Sequence, residues 1–182
     1  MIIKETPLKD LLIIEPKIWK DDRGHFFESY NKKAFADAGL DLEFVQDNQS
    51  VSHKGALRGL HGQANPHAQG KLVRVIQGKV LDVAVDIRKD SPTFGQHFKI
   101  ELTGENNIMF WVPPGFLHGF LTLENNTIFS YKCTNLYHKE SEIGVIWNDK
   151  NLNINWEISN QEAIISPKDA ILPAFADIIS PF

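Results

Sequence analysis

The chain alternates apolar and polar residues in short runs separated by Gly, Pro, Asn and Asp. KLVRVIQG (71–78) leads into KVLDVAVDIR (79–88), with Gln77-Gly78 as a tight turn between them. HFKIEL (97–102) follows, then the polar turn TGENN (103–107), then IMFWVPP (108–114), GFLTL (119–123) and TIFSYKCT (127–134). Strands this short, at this regular spacing, predict an all-β sandwich or barrel. Helical signal is sparse. NKKAFADAG (31–39) predicts one short helix ending at Gly39, and the stretch after Ser166 predicts one or two further turns. No linker, repeat or low-complexity block interrupts the pattern, so residues 1–182 are expected to form a single domain.

Period-two reading assigns side chains to faces. Leu81, Val83, Val85 and Ile87 share one face of their strand, and Asp82, Ala84 and Asp86 share the other. Tyr131 shares a face with Phe129 and Cys133 and is expected to point inward. Lys71 falls on the face of Val73 and Val75. It either enters the interior, where an unpaired ammonium costs several kcal/mol, or starts its strand at a wet rim.

Composition narrows the function classes. Hydrophobic residues make up 42% and charged residues 23%, which excludes a disordered chain. The net charge of −4 is unsuited to tracking nucleic acid, which needs many phosphate contacts. The first residues lack a basic segment followed by a long apolar one, so no signal peptide is expected. No run approaches the roughly 18 apolar residues that span a bilayer. A cytoplasmic location without membrane association is the expectation. The single cysteine, Cys133, cannot form an internal disulfide and reads as a small core residue.

The residues from Gly55 to Gly78 have the spacing of the first cupin motif. Five residues separate Gly55 from His61, and six separate Lys71 from Gly78. Pro113, Gly115 and His118 match the second motif, with Thr122 at its Asn position. Two motifs in order, with strands between, predict a cupin fold: a double-stranded β-helix or jelly-roll barrel with few short peripheral helices. A metal cupin would present His, His, Glu and His. This chain presents His61, Gln63, Lys71 and His118. An ammonium has no lone pair for a cation and repels it, so no metal site is expected. His67 lies in the nearby loop and reads as a solvated residue.

An imidazole, an ammonium and a phenol in one cavity suit proton abstraction beside a carbonyl. His61 is suited to act as base near neutral pH. Lys71 and Arg58 supply positive charge to an enolate oxygen. Tyr131 is suited to return the proton on the opposite face. Strict alternation sends Arg58 and His61 to opposite faces, but Gly59 permits a bulge that brings both inside.

Over nearly its whole length the sequence resembles the dTDP-4-dehydrorhamnose 3,5-epimerase family. The resemblance is carried by DDRGHFFES (21–29), FVQDNQS (44–50), GALRGLH (55–61), the long run at 69–95, PPGFLHGFL (113–121), YKCTNLY (131–137), IWNDKNLNINW (146–156) and SPKD (166–169). It implies His61 as base, Asp169 as its carboxylate partner, Tyr131 as acid and Lys71 as enolate stabiliser. Gln46, Asn48, Arg58 and His118 would line the pocket. Arg23 and Glu28 would touch the nucleotide from a partner subunit in a strand-exchanged homodimer. Tyr137 would stack on the nucleobase, with Glu142 and Lys168 nearby. No cofactor is implied, and the substrate would be a dTDP-linked 4-keto-6-deoxy sugar.

Taken singly, several of these residues have plainer readings. Arg23 and Glu28 read as a surface pair, Asp169 as a turn residue, and His118 as a core histidine. The family has an aromatic residue after the base, where this chain has Gly62. By alternation residue 62 points away from His61, so the chemistry stands, but the number of inverted carbons is left open. The alternatives are a mono-epimerase, a sugar 3,4-ketoisomerase, a non-catalytic nucleotide-sugar binder and a metal cupin such as a dioxygenase.

Overall fold

The computed structural model describes Met1–Phe182. Its strands are β1 (Ile2–Glu5), β2 (Leu12–Glu15), β3 (Trp19–Asp21), β4 (Gly24–Phe26), β5 (Gln46–Ser52), β6 (Ala56–Gln63) and β7 (Lys71–Gln77). They continue with β8 (Lys79–Asp86), β9 (His97–Thr103), β10 (Met109–Val112), β11 (Phe116–Thr122), β12 (Thr127–Cys133), β13 (Glu142–Gly144) and β14 (Ile164–Ile165). One sheet runs β1-β2-β10-β7-β12-β5 and the other β13-β6-β11-β8-β9, with β14 added parallel to β6. The β3–β4 hairpin forms a third, separate ribbon. No strand pairing joins the two large sheets into a closed cylinder.

The sheets face each other across a core of Val73, Val75, Phe110 and Phe129 from the first and Val80, Ala84, Phe116 and Phe120 from the second. Phe120 and Phe129 stack across the gap with ring centroids 4.0 Å apart. Burial of each such ring contributes about 1.5–3 kcal/mol. The β8 strand is buried on both faces. Its apolar side, Leu81, Val83, Val85 and Ile87, packs outward under Val145, Trp147, Leu152 and Trp156 of the C-terminal segment. Its other side turns Asp82 and Ala84 toward the space between the sheets.

The first sheet's outer face is covered by the only α-helix, α1 (Lys32–Asp37), through Phe35 against Ile14, Leu72 and Met109. Asn31 caps it by accepting from the Ala34 N–H at 3.1 Å, and the chain turns out of it at Gly39, whose φ of +89° is open to glycine at no steric cost. The expected C-terminal turns are 3₁₀ turns at Asp169–Ile171 and Phe175–Asp177. No helix is long and apolar enough to cross a membrane.

The strand between 116 and 122 begins three residues before the expected GFLTL run. Phe116, Leu117 and His118 pair with Asp86, Val85 and Ala84, so the ladder extends to Phe116. The N-terminal strands β1 to β4 carried too little alternation to be read beforehand.

Candidate active site

The expected bulge lies in β6. His118 pairs with His61 and Phe120 with Arg58, so three steps on β6 oppose two on β11. Gly59 occupies the extra position at φ +115°, and a Cβ there would lie 2.6 Å from Gly119 Cα and 2.7 Å from the His118 carbonyl. Only glycine fits such an approach. The bulge turns both Arg58 and His61 toward the cavity.

His61 Nε2 lies 2.8 Å from Asp169 Oδ1, on the 3₁₀ turn that packs beside β6. With the carboxylate accepting, the imidazole's Nδ1 is left for the cavity. Asp169 also accepts from the Gly59 N–H at 3.3 Å, and its own N–H donates to Ser166 Oγ at 3.1 Å. Burial alone would raise its carboxyl. The bond and charge of His61, with Gly59 and Ser166, prevail and hold it below the usual carboxylate value.

A second histidine–carboxylate pair stands beside the first. His118 Nε2 is 2.9 Å and 3.1 Å from the two oxygens of Asp82. Asp82 is fully buried and His118 is 7% exposed. Burial pushes the Asp82 carboxyl up, opposed by His118 and by the charge of Lys71. Lys71 turns a half-buried side chain into the cavity at the start of β7. Burial pulls its ammonium below the ordinary lysine value, opposed by Cys133, Asp82 and Glu142. Tyr131 stands on the adjacent strand β12 and lines the same cavity, and burial raises its phenol while Arg58 counteracts.

His61, Lys71, His118, Tyr131, Arg58, Asn48, Lys168 and Asp169 therefore line one cavity of about 600 Å³ between the sheets. An adjoining recess of about 350 Å³ shares His61, Lys71 and Tyr131 and adds Gln46, Tyr137 and Glu142. At its mouth the Tyr137 hydroxyl donates to Glu142 at 2.9 Å, and Lys168 Nζ contacts both Glu142 oxygens at 2.5 and 2.6 Å. The Tyr137 N–H donates to Gln46 Oε1 at 2.9 Å. The face of Tyr137 stands open, with the residue 55% exposed.

Gln63 does not turn a free donor to the cavity. Its amide nitrogen donates to the carbonyls of His67 and Leu136, and its oxygen accepts from the His138 N–H. His67 stacks on His138 at 3.8 Å between ring centroids. Both cavity imidazoles direct Nε2 to an aspartate, and an ammonium takes the acidic ligand's place. No three His, Cys, Asp or Glu side chains gather as a metal cluster. Cys133 is a buried core thiol, contacted by Asn48 Nδ2 at 3.6 Å.

Two expected site residues are not brought to this cavity by their own chain. Arg23 sits in the exposed β3–β4 turn and pairs with Asp21 at 2.6 Å. Glu28 accepts from Asn31 Nδ2 at 2.9 Å. They form no pair with each other, so the surface-pair reading fails for a local reason: each has a nearer partner in its own turn. One site residue escaped the sequence reading. Asp82 was visible as an acid alternating with interior residues, but only the fold sets it against His118.

A sequence profile described as dTDP-4-dehydrorhamnose 3,5-epimerase matches residues 5–177. A curated protein of that name from Shigella flexneri is 50% identical, the match covering 97% of each chain. The crystal structure of dTDP-4-dehydrorhamnose 3,5-epimerase from Elizabethkingia anophelis NUHP1 superposes with a TM-score of 0.93 at 52% identity, covering 97% of each chain. A dTDP-6-deoxy-D-glucose-3,5-epimerase from Legionella pneumophila, solved in complex with dTDP-4-keto-L-rhamnose, gives a TM-score of 0.92 at 49% identity, covering 98% of this chain and 94% of that one.

Proposed function

The chain belongs to the dTDP-4-dehydrorhamnose 3,5-epimerase family, and on that premise we propose that it inverts C3 and C5 of dTDP-4-dehydro-6-deoxy-D-glucose by metal-independent acid–base catalysis in the cavity between the sheets. The observation that carries the reading is the placement of His61 and Tyr131. They line one cavity from opposite sheets, β6 and β12. Inversion needs a base on one face of a carbon and an acid on the other.

In this reading His61 takes the proton from a carbon next to the C4 ketone. Its Nε2–H stays on Asp169, so the lone pair of Nδ1 does the work. Electrons move onto the ketone oxygen, where the Lys71 ammonium stabilises the developing negative charge. Tyr131 then delivers a proton to the opposite face, and the enolate electrons return to carbon as the C=O bond re-forms. C3 and C5 both adjoin C4, so one oxyanion site serves both carbons. Each positioned acid or base accounts for about 10²–10⁴ in rate. The recess of Gln46, Tyr137, Glu142 and Lys168 receives the nucleotide, with the open face of Tyr137 stacking on the base.

The β3–β4 hairpin projects Arg23 with exposed Trp19 and Phe26. A homodimer in which each hairpin reaches the partner's cavity would cover these rings and bring Arg23 and Glu28 to the nucleotide. A reduced, buried Cys133 is compatible with a cytoplasmic setting.

Incubation with the 4-keto sugar nucleotide in D₂O tests the reading. Deuterium is expected at both C3 and C5, with NMR of the product showing the inverted sugar. Absence of exchange at either carbon overturns it, and exchange at one carbon alone replaces it with a mono-epimerase.

A further inference from the structure

Gln63 stands on β6 where a metal cupin carries a ligand, yet its buried amide is spent on the main chain of two other segments. Its Nε2 donates to the His67 carbonyl at 2.6 Å and to the Leu136 carbonyl at 3.2 Å, and its Oε1 accepts from the His138 N–H at 2.8 Å. Leu136 and His138 flank Tyr137, so one side chain holds the peptide groups on both sides of that residue. Gln46 Oε1 takes the Tyr137 N–H at 2.9 Å. Two planar peptide groups held on either side of one Cα fix its φ and ψ. Residues 134–138 lie in no strand or helix, so the amide supplies the bonds that a ladder would supply elsewhere. Gln63 also pairs with Glu142 across β6 and β13, and Glu142 accepts from the Tyr137 hydroxyl at 2.9 Å. One cross-strand pair therefore grips Tyr137 at its backbone and at its hydroxyl. The rings of His67 and His138, stacked 3.8 Å apart, tie the two clamped segments together.

Building on the nucleotide-stacking role proposed for Tyr137, we propose that Gln63 is a positioning residue for nucleotide recognition, setting the Tyr137 backbone before the nucleotide arrives so that the open ring is already in place for a base. An exposed aromatic on an unpaired segment must otherwise be ordered as the ligand binds, and a clamp that orders it beforehand removes that cost. The amide suits the task because it donates twice and accepts without carrying charge. A glutamate would set a carboxylate oxygen against two carbonyls, and a methionine would leave three backbone groups without a partner. Gln63 makes no hydrogen bond to His61, Lys71 or Tyr131, so its influence falls on binding and not on the chemical step.

Calorimetric titration with dTDP, beside steady-state kinetics, tests the proposal. Gln63→Met and the same-sized Gln63→Glu are each expected to weaken dTDP binding about tenfold and to raise KM alike, with kcat near the parent value. In a Tyr137→Ala background, which itself weakens dTDP binding, adding Gln63→Met should change the affinity by less than about twofold. A merely structural amide would lower kcat together with affinity and would weaken binding in both backgrounds. Parent-like dTDP affinity in both Gln63 variants, or an equal loss in the Tyr137→Ala background, would overturn the proposal. Tyr137→Ala binding dTDP as the parent does would remove Tyr137 from the nucleotide site, and the clamp's role with it. Proton exchange in D₂O, measured separately, reports on the epimerase reading alone.

Discussion

His61 and Asp169 are 108 residues apart in sequence and 2.8 Å apart in space. The contact depends on the C-terminal segment folding back over the outer face of the second sheet, which also buries Trp147 and Trp156. Asp169→Asn keeps the shape but allows the amide to donate to the imidazole, which favours the wrong tautomer. Turnover should fall by about 10²–10⁴ with little change in dTDP affinity. Steady-state kinetics beside calorimetry separates the two, and an unchanged kcat would remove Asp169 from the mechanism.

Lys71 is positioned for chemistry at a cost to stability. Burial disfavours its charged form, and it makes no ion pair in the structure. Lys71→Met should abolish deuterium incorporation yet leave the thermal midpoint at or above that of the parent protein, the opposite signs expected where function holds a charge in a dry site. A midpoint several degrees lower would mean that the ammonium is structural.

Acid stability should depend on Asp86. Burial raises its carboxyl, but the Arg88 guanidinium, the hydroxyls of Ser91 and Thr93 and the Arg88 N–H outweigh it and bring it to about 2. Because the folded value lies below the unfolded one, the stabilisation is complete at neutral pH. It is lost as pH falls from about 4 toward 2, and is worth at most about 2 kcal/mol. Asp169 acts with the same sign. Asp86→Asn should flatten the unfolding free energy measured by urea titration between about pH 4 and 2. A slope equal to the parent's would assign acid lability elsewhere.

The strands between 71 and 134 and their interior faces were legible because they depend on local patterning, whereas Gln46, Asn48, Tyr137, Glu142 and Lys168 entered the site through family resemblance. Alternation placed Tyr131 and Cys133 inward, and the Gly59 bulge was foreseeable because only a glycine between Arg58 and His61 could reconcile their faces. Lys71 was ambiguous, since a residue at a strand's first position can face rim or core. Asp82 was missed because its significance lies in a partner on another strand, His118, and pairing between strands leaves no local trace. Asp169 entered only through family resemblance, since Ser-Pro-Lys-Asp looks like an ordinary turn until the segment packs against β6.

The partner-subunit role of Arg23 can be tested by mixing. If the protein is the proposed homodimer, His61→Ala and Arg23→Ala should each impair it when alone. If the hairpin of one subunit completes the cavity of the other, reassociating equal amounts of the two inactive proteins places one intact site in each mixed dimer. Random pairing then restores roughly a quarter of the sites. Recovery of exchange activity toward that level is expected. If activity stays at the sum of the two variants after subunit exchange is verified by mass, Arg23 acts within its own chain or not at all.

The departure at Gly62 bears on how many carbons are inverted. A Cβ built there would point to the Phe116 carbonyl at 3.2 Å, Leu117 Cδ2 at 3.3 Å and Ile143 Cγ1 at 3.5 Å. These atoms belong to the layer behind the sheet, where Leu117 is a core residue and Ile143 packs against it. A side chain at 62 would first meet this packing, although Gly62 itself also lines the recess beside His61. Gly62→Ala requires its neighbours to yield by a few tenths of an ångström and should lower stability modestly, by about 1 kcal/mol. Gly59→Ala, by contrast, would set a Cβ against backbone at 2.6 Å, and should prevent the site from assembling. The ratio of deuterium at C3 to that at C5, read by NMR, is expected to be the same in Gly62→Ala as in the parent. A ratio shifted strongly toward one carbon would show that residue 62 reaches the sugar and that its identity sets the regiochemistry.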